Sequence, residues 1–295
     1  MNGDRNKRII EKIALERHTP IEKLVRLFSV PVLNAMPSNI LRTAMRISSH
    51  DAASVVKHGG STLALEGMYT RRHRSIFSRG IFQGIADLFW HHFVSQPRAL
   101  RNRLRIVESL VEGEIENRHK NGEPILILNL GGGSSRALLH VVKKLNLRKD
   151  GSEIKITNID KDARAIELSK KLAEENGLRK VFNWIEGDVR NVVPTLEDSS
   201  ADIIEMVGLL DYFSRTDGIE LMKEIRRVLK PGGLYVVANV HPNPEVPFVH
   251  KTGWPKMYYR NTEEIDLMLK RSGFTDPMSI LLEPLGIHII AEARK

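Results

Sequence analysis

The pattern of apolar and polar positions is clearest in the middle of the chain. An apolar run at residues 125–130 shows no alternation, which is typical of a strand buried on both faces of a parallel sheet. Three glycines at 131–133 end that run, and a helical pattern resumes after them. Two further predicted strands cover 154–159 and 181–185. Because glycines at a strand end let the backbone approach a ligand closely, the pattern predicts a binding loop.

Carboxylates follow the second and third predicted strands. Asp160 comes directly after the second strand, and Asp188 follows the third through Glu186-Gly187. In a doubly wound α/β sheet the ligand lies beyond the carboxyl ends of the strands, so these loops should converge on one crevice. Asp160 can then accept hydrogen bonds from a ribose diol. Its distance from Gly131, 160 − 131 = 29 residues, is somewhat larger than in the dinucleotide fingerprint and does not name the nucleotide.

This order of loops resembles the class I S-adenosylmethionine-dependent methyltransferases over roughly residues 120–295. The family's first motif, an acidic residue followed by three alternate glycines, falls on Asn129, Gly131, Gly133 and Ser135. Asn129 replaces the acid that would meet the cofactor's ammonium group, and Ser135 replaces the third glycine. Neither change removes the turn, but the amino acid end of the cofactor must be held somewhat differently.

The resemblance implies S-adenosylmethionine as the cofactor, with Asp160 as the ribose-binding acid and Asp188 as the adenine-binding acid. Residues 201–209 resemble the family's fourth strand, and 229–237, with their Lys-Pro-Gly-Gly turn, resemble its fifth. The predicted cofactor-binding residues are Asn129, Gly131, Gly132, Gly133, Asp160, Lys161, Asp188, Val189 and Glu205.

The end of the chain completes the expected fold. A helix at 262–272 precedes strands near 278–282 and 287–293, a pair that resembles the ending of the methyltransferase sheet. We therefore expect an α/β fold with a doubly wound seven-stranded methyltransferase-type sheet, an antiparallel last strand and a helical N-terminal region. The predicted division is a helical cap at 1–121 and a cofactor-binding domain at 122–295.

The first 121 residues show mainly helical patterns. Thr19-Pro20 is typical of a cap followed by a first-turn proline and predicts a helix through Phe28. Pro31 and Pro37 are expected to break the chain. Further predicted helices cover residues 38–48, 81–94 and 97–119.

The net charge of +9 lies entirely in this first region. Residues 1–120 hold 20 Lys and Arg against 11 Asp and Glu, and the rest of the chain holds 25 of each. The asymmetry favours an anionic partner, whether a membrane surface, a nucleic acid or an acidic substrate. A solvated helical face explains the charge equally well, and the same two interpretations apply to the basic run at 71–74.

Other features bound the protein's class. The absence of cysteine excludes disulfides, thiol nucleophiles and cysteine-ligated metals, and it suits a cytoplasmic location. Adjacent His91 and His92 point in different directions on a helix, so we predict no metal site. The polar start of the chain predicts no signal peptide, and the lack of about 18 successive apolar residues predicts no membrane span. Peripheral membrane contact through the basic N-terminal region and the oligomeric state stay open.

Candidate catalytic residues follow the fourth and fifth strands. Tyr212 lies beside Asp211, His241 follows the fifth strand, and Tyr259 lies next to Arg260 in an aromatic insertion. His241 could act as a general base near neutral pH, or simply hydrogen-bond a loop.

The acceptor is argued by elimination. The Asp/Asn-Pro-Pro-Tyr motif of enzymes that methylate base nitrogens does not follow the fourth strand, which disfavours nucleic acid as the substrate. The paired-glutamate loop of arginine methyltransferases is also missing. The expected function is direct methyl transfer to an oxygen or nitrogen of a small molecule, apolar or lipid-like in character.

Three alternatives stay open. A nicotinamide-dependent oxidoreductase would need its third glycine where Arg136 stands. A non-catalytic protein that binds the cofactor or an anionic surface is compatible with Asn129 and Ser135. An aminopropyl transferase on the same fold would need an acid-rich polyamine site, whereas the loop at 209–213 offers only Asp211.

Overall fold

The structure of the protein is a computed structural model that describes residues 13–70, 81–120, 122, 124–146 and 154–295. The first twelve residues and the basic run at 71–74 lie outside the described residues.

Seven strands form one mixed sheet. In chain order they are β1 (Ile125–Leu130), β2 (Ile154–Asp160), β3 (Phe182–Glu186), β4 (Ala201–Val207), β5 (Leu229–Val240), β6 (Thr275–Leu282) and β7 (His288–Arg294). Their order across the sheet is β3-β2-β1-β4-β5-β7-β6. Strands β1 to β5 pair in parallel, whereas β7 is antiparallel to both of its neighbours. The predicted doubly wound sheet with an antiparallel last strand is confirmed.

Helices cover both faces of the sheet and extend beyond it. They are α1 (Pro20–Ala35), α2 (Ser38–Ser48), α3 (His50–His58), α4 (Thr62–Thr70), α5 (Ile81–His92), α6 (Ser95–Lys120), α7 (Arg136–Leu145), α8 (Ala163–Glu175), α9 (Val189–Val192), α10 (Arg215–Val228), α11 (Val246–Thr252) and α12 (Thr262–Arg271). Short 3₁₀ segments occupy Val193–Thr195 and Leu210–Tyr212. Residues of α10 and α12 form the core on one face, and residues of α6 and α7 form the core on the other.

Helix α6 belongs to two cores at once. Its second half buries Ile106, Val111 and Ile115 against the sheet. Its first half places Leu100 in a third core with Trp90 of the N-terminal helices. The predicted boundary at residue 121 follows the end of this helix, and the apolar face of the helix is part of the sheet's own core.

The third core joins the N-terminal helices to the segment after β5. Leu41 and Met68 from the first region pack in the same cluster as Phe248 and Met257, and Val240 at the end of β5 completes it. The N-terminal helices therefore cover the end of the sheet where β5 finishes, which is the side on which ligands of such sheets bind.

The expected break at Pro31 does not occur. Helix α1 begins after the predicted Thr19 cap but runs through Pro31 to Ala35. Proline removes one backbone hydrogen bond, and tertiary contacts hold the far end of the helix in place. Asn34 donates to the carbonyl of Pro244 at 2.8 Å and accepts from the amide of Phe248 at 3.0 Å.

One face of α1 is apolar and exposed. Ile21, Leu24, Phe28 and Val32 recur at helical spacing, and each is more than half exposed. Among the described helices, none is both long and apolar enough to span a membrane.

Candidate active site

The loop after β1 needs its glycines. Gly131 and Gly133 take left-handed backbone conformations, with φ of 60° and 54°. A Cβ on Gly132 would collide with the side chains of Asn129 and Asn158. The packing of the loop against these two side chains therefore requires glycine at its centre.

Ser135 keeps the turn that a third glycine would make. It adopts φ 54° and ψ 31°, a left-handed conformation that is uncommon for residues other than glycine. Its hydroxyl lies 3.2 Å from that of Ser169, which accepts a hydrogen bond from the Trp184 indole at 2.9 Å. These buried contacts help to hold the strained turn from which α7 begins.

Asp160 is fixed by backbone donors on both sides of its carboxylate. Oδ2 accepts from the amide of Gly133 at 2.9 Å, and Oδ1 accepts from the amide of Asp162 at 2.9 Å. Each carboxylate oxygen keeps a further lone pair for a ligand hydroxyl. The second strand end and the glycine loop therefore form one structural unit, next to which Lys161 lines the same cavity.

Asp188 caps the short helix α9. Its Oδ1 accepts from the amide of Arg190 at 3.0 Å, and Oδ2 pairs with the Arg190 guanidinium at 2.6 Å. This side-chain hydrogen bond is the main reason that the pKa of Asp188 falls to about 2, so the group is ionised at neutral pH. Val189 beside it is buried and lines the cavity.

Glu205 lies opposite Asn129 on the neighbouring strand. The two residues are register partners in the parallel pair of β1 and β4. Glu205 is 6% exposed, and its Oε2 has no hydrogen-bond partner. Burial raises its pKa to about 7, with Arg103 acting in the opposite direction and Glu108 adding to the rise. Glu205 on β4 therefore supplies a carboxyl group next to Asn129, at the position where the resemblance would place an acid on β1.

Helix α4 contacts the glycine loop directly. Glu66 accepts a hydrogen bond from the Ser134 hydroxyl at 2.6 Å and pairs with the guanidinium of Arg136. A Cβ on Gly133 would stand 3.0 Å from the hydroxyl of Thr62, the first residue of α4. The N-terminal helices and the glycine loop are therefore in direct contact.

A cavity of about 640 Å³ begins at these loops and extends under the N-terminal helices. Its volume lies within the usual range for small-molecule sites. The lining at this end includes the glycine loop, Asp160, Lys161, Asp188, Val189 and Glu205. The other end is mainly apolar and aromatic, and its lining includes Val55, Leu65, Met68, Trp90, Leu100, Leu104, Val107, Phe248, Trp254 and Met257.

Tyr212 and Asp211 belong to the short 3₁₀ segment that follows β4. Both line the cavity, and the Tyr212 hydroxyl accepts a hydrogen bond from the Trp254 indole at 3.1 Å. Burial raises the pKa of Tyr212 to about 12, so the phenol stays protonated. Burial also raises the pKa of Asp211 to about 6, although its Oδ1 accepts from the Val240 amide at 2.7 Å.

His241 and Tyr259 occupy different positions. Neither is among the residues that line the described cavity. The backbone amide of His241 donates to the carbonyl of Ile287 at 2.7 Å, and the Tyr259 ring stacks on His250. Burial raises the pKa of Tyr259 to about 12. The structure thus brings Tyr212, but not these two side chains, to the cavity wall.

Two buried polar residues in the wall escaped the sequence reasoning. Arg103 of α6 and His288 at the start of β7 both line the cavity and are each 3% exposed. A signal for Arg103 was present, because it stands among Leu100, Leu104 and Val107 on one helical face. No local pattern marks His288, since its position depends on how β7 pairs with β5.

Residues 128–237 match the family model of the methyltransferase domain. The whole fold is similar to a crystal structure described as a possible exported protein from Bordetella parapertussis, at 14% identity, with 94% of this chain and 99% of that chain covered and a TM-score of 0.65. The match identifies this part of the chain as a methyltransferase domain. Two solved S-adenosylmethionine-dependent methyltransferases also match. The one from Methanosarcina mazei is 20% identical over 59% of this chain and 93% of that one, with a TM-score of 0.45, and the one from Archaeoglobus fulgidus is 14% identical over 64% and 94%, with a TM-score of 0.47.

The residues around the glycine loop fit S-adenosylmethionine. Asn129 and Asn158 leave no room for a Cβ on Gly132, so bare backbone lies next to Asp160, whose carboxylate is held by two amides and keeps lone pairs for a ligand. The unpartnered carboxyl of Glu205 offers the negative charge that an ammonium group needs. The predicted cofactor is confirmed by the domain family, while the roles of the individual residues stay predictions.

Proposed function

We propose that this methyltransferase transfers the methyl group directly to an oxygen or nitrogen of a small, largely apolar molecule. The observation that carries the proposal is one continuous cavity among the described residues, lined by the glycine loop and the strand ends as well as by apolar side chains. Such a cavity can hold cofactor and acceptor side by side and exclude water. Apolar pockets with a few placed polar groups are typical of small-molecule sites.

The proposed mechanism needs mainly position. S-adenosylmethionine supplies an already activated methyl group, so alignment of the acceptor can provide much of the acceleration. In this proposal Tyr212, whose hydroxyl is held by Trp254, donates a hydrogen bond to the acceptor. Asp211, with a pKa of about 6, takes a proton from the acceptor where the reacting oxygen or nitrogen carries one.

The remaining site residues enter the proposal on the cofactor side. Glu205 meets the cofactor's ammonium group in place of Asn129, Asp160 binds the ribose, and Asp188 binds the adenine amino group. His241 and Tyr259, which lie outside the described cavity wall, support the loops after β5 in this scheme. Their catalytic assignment stays a prediction that His241→Ala and Tyr259→Phe would test through kcat.

The first test is calorimetric titration with S-adenosylmethionine, S-adenosylhomocysteine and NAD. Wild-type protein should bind the first two and not NAD, and Asp160→Ala should lose that binding. Glu186→Ala is a matched control, because Glu186 is the register partner of Asp160 but does not line the described cavity. Binding of NAD alone would overturn the proposal.

The second test separates an enzyme from a non-catalytic binder. Purified protein is incubated with S-adenosylmethionine and a panel of medium-chain alcohols, phenols, amines and carboxylic acids, and S-adenosylhomocysteine is measured by mass spectrometry. Turnover that depends on an acceptor supports the methyltransferase. Tight cofactor binding without turnover on any acceptor class favours the non-catalytic alternative.

The proposal includes peripheral contact with an anionic membrane surface. Leu24 and Phe28 belong to the exposed apolar face of α1, and residues 1–120 carry the whole excess of positive charge. Wild-type protein should co-sediment with vesicles of anionic phospholipid more than with zwitterionic vesicles. Leu24→Gln with Phe28→Gln should reduce that binding, and equal sedimentation of variant and wild type would contradict the contact.

A further inference from the structure

Arg103 is a buried cation that forms no salt bridge with any of the described residues. It is 3% exposed, and its Nη2 donates to the Tyr69 hydroxyl at 2.8 Å. Its Nε has no hydrogen-bond partner. A Cβ on Gly208, the first residue after β4, would stand 3.0 Å from its Nη1. The guanidinium therefore lies against the backbone just beyond the carboxyl end of β4.

Neighbouring arginines on the same helix form salt bridges, whereas Arg103 does not. Arg98 pairs with Glu22 at 3.0 Å, and Arg101 pairs with Glu16 at 2.6 Å. Burying a charge without a partner is costly, and buried charges in proteins are normally paired. No salt bridge joins Arg103 to a carboxylate among the described residues, and Glu205 and Asp211, which line the same cavity, interact with its charge only at longer range.

His288 adds a second incomplete polar group to the same wall. Neither of its ring nitrogens has a hydrogen-bond partner. Burial, and then the charge of Arg103, holds its pKa well below the ordinary value, so the ring is neutral. A neutral imidazole offers one donor and one acceptor. The cavity thus contains a positive charge and a hydrogen-bonding ring, both open toward the same space.

We propose that Arg103, positioned by Tyr69 and accompanied by His288, binds an anionic group of the acceptor. The inference rests on the proposed function and specifies its substrate class: an amphipathic carboxylate or phosphate whose hydrocarbon part lies against the apolar wall. That wall includes Trp90, Leu100, Leu104, Val107, Phe248 and Met257. Guanidinium groups bind carboxylates and phosphates through paired charge-assisted hydrogen bonds, so both chemistries fit.

The test compares three probes of equal chain length: decanoate, decyl phosphate and decanol. Each is titrated calorimetrically into protein saturated with S-adenosylhomocysteine. Wild type should bind at least one of the anions about tenfold or more tightly than decanol, because a buried charge pair is gained. Preference for decanoate identifies a carboxylate acceptor, and preference for decyl phosphate identifies a phosphate.

The variants assign that preference to one side chain. Arg103→Met should abolish the difference between anion and alcohol while decanol binding stays within about twofold. Arg103→Lys keeps the charge and should retain part of the preference, and it serves if the methionine variant does not fold. Arg105→Met removes the same charge two residues away, at a position that is partly exposed and does not line the described cavity, and should change nothing.

The outcomes are separable from those of the proposed function. Equal binding of all three probes by wild type, or an unchanged preference in Arg103→Met, overturns the anion site and leaves methyl transfer standing. If wild-type protein does not bind S-adenosylhomocysteine at all, that result would instead contradict the proposed function. Tyr69→Phe should weaken the preference severalfold, because it removes the hydrogen bond that orients the guanidinium.

Discussion

Glu205 gives the protein a pH dependence that its unfolded chain does not have. The group ionises near its ordinary pKa of 4.5 when unfolded but near 7 when folded, because burial disfavours the carboxylate. The folded state therefore binds more protons between these values, and stability falls as pH rises through that window. At 1.36 kcal/mol for each pKa unit, the total loss is about 3 kcal/mol.

The perturbation is Glu205→Gln, and the assay is urea unfolding of both proteins without cofactor between pH 5 and pH 8. The amide cannot ionise, so the free energy of unfolding of the variant does not fall with pH for this reason. Between pH 5 and pH 8 it should rise by about 2 kcal/mol relative to that of wild type. The test is how the difference in unfolding free energy between variant and wild type changes with pH. Its absolute value is less informative, because burying the amide destabilises the variant at every pH.

A control isolates the effect of burial. Glu167→Gln removes the same charge from a side chain that is 70% exposed, and its difference from wild type should stay constant with pH. A constant difference for Glu205→Gln as well would refute the reasoning, since it would mean that Glu205 ionises alike in both states. If Glu205 meets the cofactor's ammonium group, wild-type affinity for S-adenosylhomocysteine should also rise with pH toward 7, and that of the variant should not.

Three further predictions concern the loop, the cap and the acceptor side. Gly132→Ala should weaken S-adenosylhomocysteine binding about tenfold or more in calorimetry, because its Cβ collides with buried side chains, whereas Gly113→Ala, in open space on α6, should not. Glu66→Gln should lower the free energy of unfolding by about 1 to 3 kcal/mol in urea titrations and weaken cofactor binding, since the loop loses its ion pair. Tyr212→Phe should reduce kcat about tenfold while S-adenosylhomocysteine binding is unchanged, and an unaltered kcat would remove Tyr212 from the mechanism.

The sheet and the cofactor loops were predictable because their signals are local. A doubly buried strand must be apolar along its whole length, as residues 125–130 are, and a left-handed turn selects glycine where Gly131 and Gly133 stand. The strand ends then follow from topology, which brings Asp160 to the glycine loop. These features need no knowledge of the rest of the chain.

The apolar end of the cavity was not predictable in the same way. Arg103 and His288 are 185 residues apart in the sequence and meet only because α6 crosses the sheet next to β7. The continuation of α1 through Pro31 likewise depends on contacts with Asn34 that no local rule includes. Local rules predict that a proline breaks a helix and that a charge is exposed. Tertiary contacts override the first rule at Pro31, and they place the charge of Arg103 in the cavity wall.

The contact between Glu66 and the glycine loop has a thermodynamic consequence for the whole site. Ser134 and Arg136 belong to the glycine-loop end of the cavity, whereas α4, which carries Glu66, also contributes Leu65 and Met68 to its apolar lining. Any ligand that stabilises α4 in this position must therefore stabilise the loop as well. Because coupling between two binding events is reciprocal, an acceptor that raises cofactor affinity through this helix is bound more tightly, by the same factor, once the cofactor is present. The N-terminal helices thus provide a contact through which the binding of one ligand can strengthen the binding of the other, and the sheet alone would lack this contact.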